Sequence, residues 1–299
     1  MIHHITAICA SAERTALFYT KVLGLRLVKL TINQDDIGTY HIYFGDKTGR
    51  PGTALTFFQW SDLPKGKPGP GMVSKVAFSV PTLAFWEERL KKLHVAMKKE
   101  TRFGKSVLGF SDPDGLELEL VEHGKAGNWA EEVPKEYAIS GFYGATLMLE
   151  DYEETGELLT KHLGYSKEKS EGNLHRYVSK ETVIDLQEAP DTHPGIAGLG
   201  TAHHIAFRSK DKETQLSLRE KLKIEGFHPT PSIDRYYFRS VYFREPGNVL
   251  FEIATDGPGF TVDETEEKLG SKLVLPPAFE FQRKEIEMLL PPFSFSKLN

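Results

Sequence analysis

Thr201–Phe207 reads TAHHIAF, and His3–Ile8, near the other end of the chain, reads HHITAI. Two adjacent histidines heading a short alternating apolar run, found twice, point to two copies of one building block. Ser11 stands as an N-cap for a helix over Ala12–Leu23, and Gly24 follows as its C-terminal stop. Leu25–Thr31, Tyr40–Phe44 and Thr53–Phe58 read as three strands divided by polar turns. The first module is therefore strand, helix, strand, strand, strand.

The same order recurs. Val73–Val80, a helix over Leu83–Leu93, and strands at Lys98–Thr101, Lys105–Ser111 and Leu116–Glu122 form a second module, with Asp112-Pro113-Asp114-Gly115 as its tight turn. After a polar linker over His123–Tyr137, the third covers Gly141–Ala189, with strand Ala145–Leu149 and helix Tyr152–His162. The fourth has strand His203–Arg208, helix Lys212–Gly226, and strands near His228–Pro231, Tyr236–Phe243 and Val249–Ala254. Glu245-Pro246-Gly247-Asn248 stands where the second module has its Asp-Pro turn. The expected fold class is α+β. Four βαβββ modules form two open barrel-like cups of mixed sheet with the helices outside. The expected division is 1–125 (modules one and two), 141–258 (modules three and four), and a tail, 259–299, docking on the body.

The 299 residues are 39% hydrophobic and 26% charged, globular values. A net charge of −5 without a Lys/Arg cluster argues against nucleic acid as a partner. No apolar run reaches membrane-spanning length, and no signal-peptide pattern opens the chain. One cysteine, Cys9, rules out an internal disulfide and reads as a small buried residue. A cytoplasmic location is the expectation.

Successive strand side chains face opposite ways. His204 shares a face with Ala206, and His4 shares one with Thr6 and Ile8; strict alternation aims His203 and His3 away. Each strand thus offers one histidine, His4 or His204, to a concave face. On the fourth module's last strand, Glu252 stands among apolar neighbours, where an unpaired carboxylate is costly. A lone strand histidine is more often structural than a ligand, and a strand glutamate more often solvated. Three such residues at corresponding places of repeated modules favour a metal site. Two imidazoles and one carboxylate suit non-haem Fe(II), leaving positions open for other ligands. Glu119 occupies the place matching Glu252 in module two, but no histidine accompanies it, so it reads as structural or vestigial. Module one ends its last strand with Phe57 and Phe58, so no fourth protein ligand is expected.

These modules resemble the vicinal oxygen chelate superfamily of glyoxalases, bleomycin-resistance proteins and extradiol dioxygenases. More closely, FYTKVLGLRLVKLTINQDD (Phe18–Asp36), TYHIYFGD (Thr39–Asp46), TAHHIAF and LFEIATDGPGF (Leu250–Phe260) are similar to ring-cleaving dioxygenases that act on hydroquinones. The resemblance spans essentially the whole chain. It implies that modules one and four build the cup around iron, with His4, His204 and Glu252 as ligands to Fe(2+), or Mn(2+) in its place. It implies catalytic roles beside the metal for Tyr242, Arg235, His203 and His3. It implies a small aromatic diol and O2 as substrates, a role in clearing quinones or hydroquinones, and compatibility with a homo-oligomer. Read without it, Tyr242 is an ordinary strand tyrosine and Arg235 a surface arginine; His41 and Tyr43 carry no assigned role. Other functions that fit the pattern are a catechol extradiol dioxygenase, a glyoxalase-type isomerase (which would want a second carboxylate), and a metal-free protein that sequesters aromatic drugs.

Overall fold

The computed structural model describes residues 1–180 and 182–298. Module one comprises β1 (Ile2–Cys9), α1 (Ala12–Leu17, prolonged by a π-helical turn over Phe18–Val22), β2 (Arg26–Asn33), β3 (Asp36–Gly45) and β4 (Ala54–Gln59). Module two is β5 (Met72–Val80), α2 (Leu83–Lys92), β6 (Met97–Arg102), β7 (Lys105–Ser111) and β8 (Glu117–Glu122). Module three is β9 (Gly141–Leu149), α3 (Glu153–His162), β10 (Ser166–Glu171), β11 (Leu174–Val178) and β12 (Val183–Glu188). Module four is β13 (Ala202–Ser209), α4 (Lys212–Ile224), β14 (Ile233–Asp234), β15 (Arg239–Arg244) and β16 (Leu250–Thr255), followed in the tail by α5 (Arg283–Leu289).

The modules join as two open half-barrels of mixed sheet. One eight-stranded sheet runs β14-β15-β16-β13-β1-β4-β3-β2 and unites modules four and one; the other runs β10-β11-β12-β9-β5-β8-β7-β6 and unites three and two. Within each, the two first strands meet antiparallel at the centre and each lies parallel to its module's last strand. A central strand is covered on both faces, which is why all of β1 is buried.

The four first strands share a spacing that simple alternation lacks. Their side chains in the main hydrophobic core are Ile2, Ile5, Ala7 and Cys9; Val73, Val76, Phe78 and Val80; Phe142, Ala145, Leu147 and Leu149; and Ala202, Ile205 and Phe207. The first step is three residues and the rest are two. An inserted residue, a β-bulge, produces this pattern because it lets two consecutive side chains leave the core face together. The register skips His3 on β1 and His203 on β13.

The fourth module departs from expectation in one place. No strand forms at His228–Pro231, because Pro229 and Pro231 have no N–H for a ladder. The edge strand is instead the short β14, and Tyr236 turns the chain at a φ of 70° before β15 begins at Arg239.

The tail docks along β2, the outermost strand at one end of the first sheet, and covers it. Leu273 bridges to Leu30, and the Val274 N–H donates to the Leu30 carbonyl at 3.0 Å. Lys29, fully buried, donates to Asp263 Oδ1 at 2.6 Å and to Glu264. Tyr237 Oη also donates to Asp263, at 3.0 Å. Removing one member of such a buried ionic set would leave an uncompensated charge, at about 3–5 kcal/mol.

Candidate metal centre

The bulge at His3 and its counterpart at His203 bring the two strands' histidines to the same concave face. His4 Nε2 lies 3.2 Å and His204 Nε2 3.0 Å from Glu252 Oε2, and the two Nε2 atoms are 3.3 Å apart. All three side chains are buried. Donors about 2.1 Å from one ion, set at right angles, stand about 3.0 Å apart, so this triangle has the size a single cation requires. Glu252 Oε1 accepts from Ser240 Oγ at 2.5 Å, whereas Oε2 has no aligned hydrogen bond among the described residues. A buried carboxylate oxygen left in that state is costly, and a cation between the rings would satisfy it. Burial opposes ionisation of Glu252, but the adjacent imidazoles outweigh it and hold the carboxyl well below the usual range. Burial also pushes His204 down, toward the neutral form that can ligate.

His3 and His203 do not point away, as strict alternation requires. His3 Nδ1 meets His4 Nδ1 at 2.9 Å, and His203 Nδ1 meets His204 Nδ1 at 2.8 Å. One nitrogen of each pair must carry the hydrogen. With Nε2 kept free for a cation, Nδ1–H of His4 and His204 donates to the neighbouring ring, which fixes tautomer and orientation. Burial lowers both His3 and His203 to about 3, so they remain neutral acceptors.

His4 and His204 form the floor of a cavity of about 40 Å³, with Glu252 buried behind them. Phe58 and Phe238 supply apolar walls, and Tyr242, directly opposite Glu252 in the β15–β16 register, meets His204 edge-on at 5.8 Å between ring centroids. Burial raises the Tyr242 phenol, keeping it protonated. The Arg235 guanidinium lies 5.5 Å above the Tyr242 ring and grips Asp35 through two bonds of 3.0 and 2.7 Å. Burial works against the charge of Arg235, but Asp35 and Tyr242 prevail and raise its pKa. Gln34 Nε2 donates to the Arg235 carbonyl at 2.9 Å, so the β2–β3 turn lies across the mouth. His41 accepts from or donates to Tyr43 Oη (2.8 Å) and Thr56 Oγ1 (2.9 Å), and burial holds it well below its ordinary value.

The register also corrects the site of a fourth ligand. Glu252 pairs with Ala206, two residues past His204; the residue paired with Thr6, two past His4, is Thr56, not Phe57 or Phe58. Its hydroxyl is taken up by Thr6 Oγ1 at 2.8 Å and by His41. Sequence reasoning missed Ser240 and Asp35; period-two alternation from Tyr242 would have placed Ser240 on the cup face, but Asp35 carries no signal.

Two half-barrels of paired βαβββ modules, with donors from first and last strands meeting on one concave face, define a class. The model for the Glyoxalase/Bleomycin resistance protein/Dioxygenase superfamily matches residues 1–120 and 144–253, and the chain belongs to that superfamily. Among curated relatives, MhqO of Bacillus subtilis (strain 168), named provisionally as a ring-cleaving dioxygenase, is 47% identical over 100% of this chain and 98% of its own. The chlorohydroquinone/hydroquinone 1,2-dioxygenase of Sphingobium indicum is 36% identical over 95% of this chain and 94% of its own. A crystal structure from B. subtilis, described provisionally as a dioxygenase, superposes with a TM-score of 0.94 at 47% identity, over 98% of this chain and 97% of that one. Glyoxalase I from Zea mays shares the fold at a TM-score of 0.65 and 15% identity, over 85% of this chain and 92% of that one. No helix among the described residues is long and apolar enough to cross a membrane.

Proposed function

We propose that the protein is an Fe(II)-dependent dioxygenase that opens the ring of a hydroquinone-type aromatic, serving to clear hydroquinones or quinones. The observation that carries this reading is the convergence of His4, His204 and Glu252 under a cavity walled by Tyr242 and Arg235. Whole-length similarity to a hydroquinone 1,2-dioxygenase supports the substrate class. The three donors would hold the ion, with Mn(2+) as the alternative occupant. Iron supplies a redox-active centre through which an electron-rich ring can reduce O2, chemistry closed to Zn(2+).

The chain's own groups bind and orient. His3 and His203 hold the two ligand imidazoles in one tautomer through the Nδ1 pairs, and Ser240 fixes the Glu252 carboxylate. Tyr242, kept as a phenol, donates from Oη to a substrate oxygen, while the Arg235 cation stabilises negative charge there. Phe58 and Phe238 exclude water from the ring. A cavity that accepts benzene measures roughly 150 Å³, against about 40 Å³ here. Ring entry therefore requires this cavity to widen, and the Arg235–Asp35 pair is part of the wall that would move.

The same ligand set would serve a catechol dioxygenase, and similarity to the hydroquinone relative favours the hydroquinone reading. Protein reconstituted anaerobically with Fe(II) is given O2 and either hydroquinone or catechol, with O2 uptake and product mass recorded. Uptake matched by a two-oxygen mass gain with hydroquinone is the expected result. No uptake with hydroquinone, or preferred turnover of catechol, overturns the assignment.

A further inference from the structure

The second half-barrel copies the first down to its bulges. Its central register skips Ser74 on β5 and Tyr143 on β9, the places held in the first sheet by His203 and His3. Counting from them, Lys75 stands where His204 stands, Gly144 where His4 stands, and Glu119, paired with Ala77 as Glu252 is with Ala206, where Glu252 stands. Asp185, paired with Thr146, takes the place of Thr56.

Of the first cup's three potential metal donors only the carboxylate recurs: Lys75 replaces one histidine and Gly144 the other, and two arginines reach in from neighbouring strands. Lys75 Nζ lies 3.3 Å from Glu119 Oε1, and Arg102 grips both oxygens of Glu119. Arg102 Nε also approaches Asp185 Oδ2 at 3.3 Å, and Arg176 holds Asp185 through two bonds of 2.7 Å. Gly109, in the register position that Tyr242 occupies in the first cup, leaves the space beside Glu119 free of a side chain. Three cations face two carboxylates, so this floor keeps one surplus positive charge.

Adjoining this cluster, with Arg176 as its member in the lining, lies a cavity of about 300 Å³, far roomier than the one over His4 and His204. Arg176 and Tyr143, both buried, reach it from below. Arg176 Nη1 donates to Tyr143 Oη at 3.2 Å, and the phenol's own hydrogen has no acceptor among the described residues. Phe103, stacked 4.1 Å over the Arg176 guanidinium, forms an apolar wall with Val178 and Val183. Among the described rim residues Lys105, Lys169 and Lys180 outnumber Glu168.

We propose that this second cup binds a small organic anion: a planar carboxylate on an aromatic or unsaturated body. The free Tyr143 hydrogen and the surplus floor charge receive the carboxylate, the lysines draw it in, and the Phe103–valine wall takes the apolar part. An inorganic oxyanion would leave that wall without a partner.

The test is calorimetric titration of benzoate, with inorganic phosphate as competitor, into the full-length metal-loaded protein. Saturable one-site binding is expected, weakened about tenfold or more by Lys105→Glu with Lys169→Glu. Tyr143→Phe, which keeps the ring and removes the donor, should weaken it several-fold. Binding should persist in His204→Ala, separating this site from the metal cup. Absence of saturable heat, survival of binding in the folded charge-reversed variant, loss of binding in His204→Ala, or equal competition by phosphate would each overturn the proposal.

Discussion

His4 Nε2 and His204 Nε2 stand 3.3 Å apart although 200 positions separate them in the chain. They meet because β1 and β13 are antiparallel neighbours at the centre of one sheet, with Thr6 opposite His204. The site exists only when the first and fourth modules have paired, so a cation bound there ties the two ends of the fold together.

Removing that cation should therefore lower stability. Ligand at about 1,000 times its dissociation constant stabilises by about 4 kcal/mol, and each kcal/mol moves Tm by about 2–4 °C in chains of roughly 150–250 residues, toward the low end in a longer one. Thermal unfolding of Fe(II)- or Mn(II)-loaded protein, with and without a chelator, should differ by several degrees. In Glu252→Gln the chelator should cause no shift and metal content should collapse. An equal shift in that variant would show the stabilising ion to be elsewhere.

His3 and His203 enter a second prediction through their Nδ1 contacts. Phenylalanine at either place keeps a buried ring but removes the acceptor that orients the ligand imidazole. Metal affinity should fall by about 10–100-fold in each. Competition against a calibrated chelator measures this directly, and circular dichroism checks that the fold survives. Unchanged affinity in His203→Phe would make its contact with His204 mere packing.

The module order and the concave faces were legible because they depend on local periodicity, and the grouping of His4, His204 and Glu252 because these residues hold corresponding places in repeated modules. What alternation could not reveal is the bulge, which costs no residue type and leaves only a three-then-two spacing of core side chains, as in Ile2, Ile5 and Ala7. Missing it aimed His3 and His203 away from the site; the fourth-ligand place went to Phe57 and Phe58 rather than Thr56 because the parallel β1–β4 register cannot be read from either strand alone. Glu119 looked isolated because its partner Arg102 sits on a separate strand, and no local pattern announces a cross-strand ion pair. The two prolines of His228–Pro231 were a readable warning against a strand.

Cys9 gives a pH prediction with a definite sign. Burial pushes its thiol up to about 12, against about 8.5 in an unfolded chain. Between those values the unfolded state has lost the proton and the folded state retains it, so unfolding releases protons and stability falls as pH rises. The slope for this group approaches about 1.4 kcal/mol per pH unit. Urea unfolding of wild type and Cys9→Ala at pH 8 and pH 10 isolates it: wild type should lose more stability between the two. Native protein at pH 8 should also resist thiol reagents until denaturant is added.

Arg102 and Glu119 yield the last prediction. Arg102 is buried and serves Glu119 and Asp185 together; Asp185 keeps Arg176, while Glu119 would retain only Lys75, which is 29% exposed at its side chain. Arg102→Met leaves a buried carboxylate with one partly hydrated partner and should destabilise by about 3–5 kcal/mol. Adding Glu119→Leu removes the stranded charge, and Lys75 can extend its ammonium to water. The double variant should therefore recover most of the loss, as exchange of a buried ion pair for apolar residues often does. Urea midpoints at unchanged m-value report both effects. A double variant no more stable than the single would mean that Arg102 matters for the space it fills rather than for the charge it opposes.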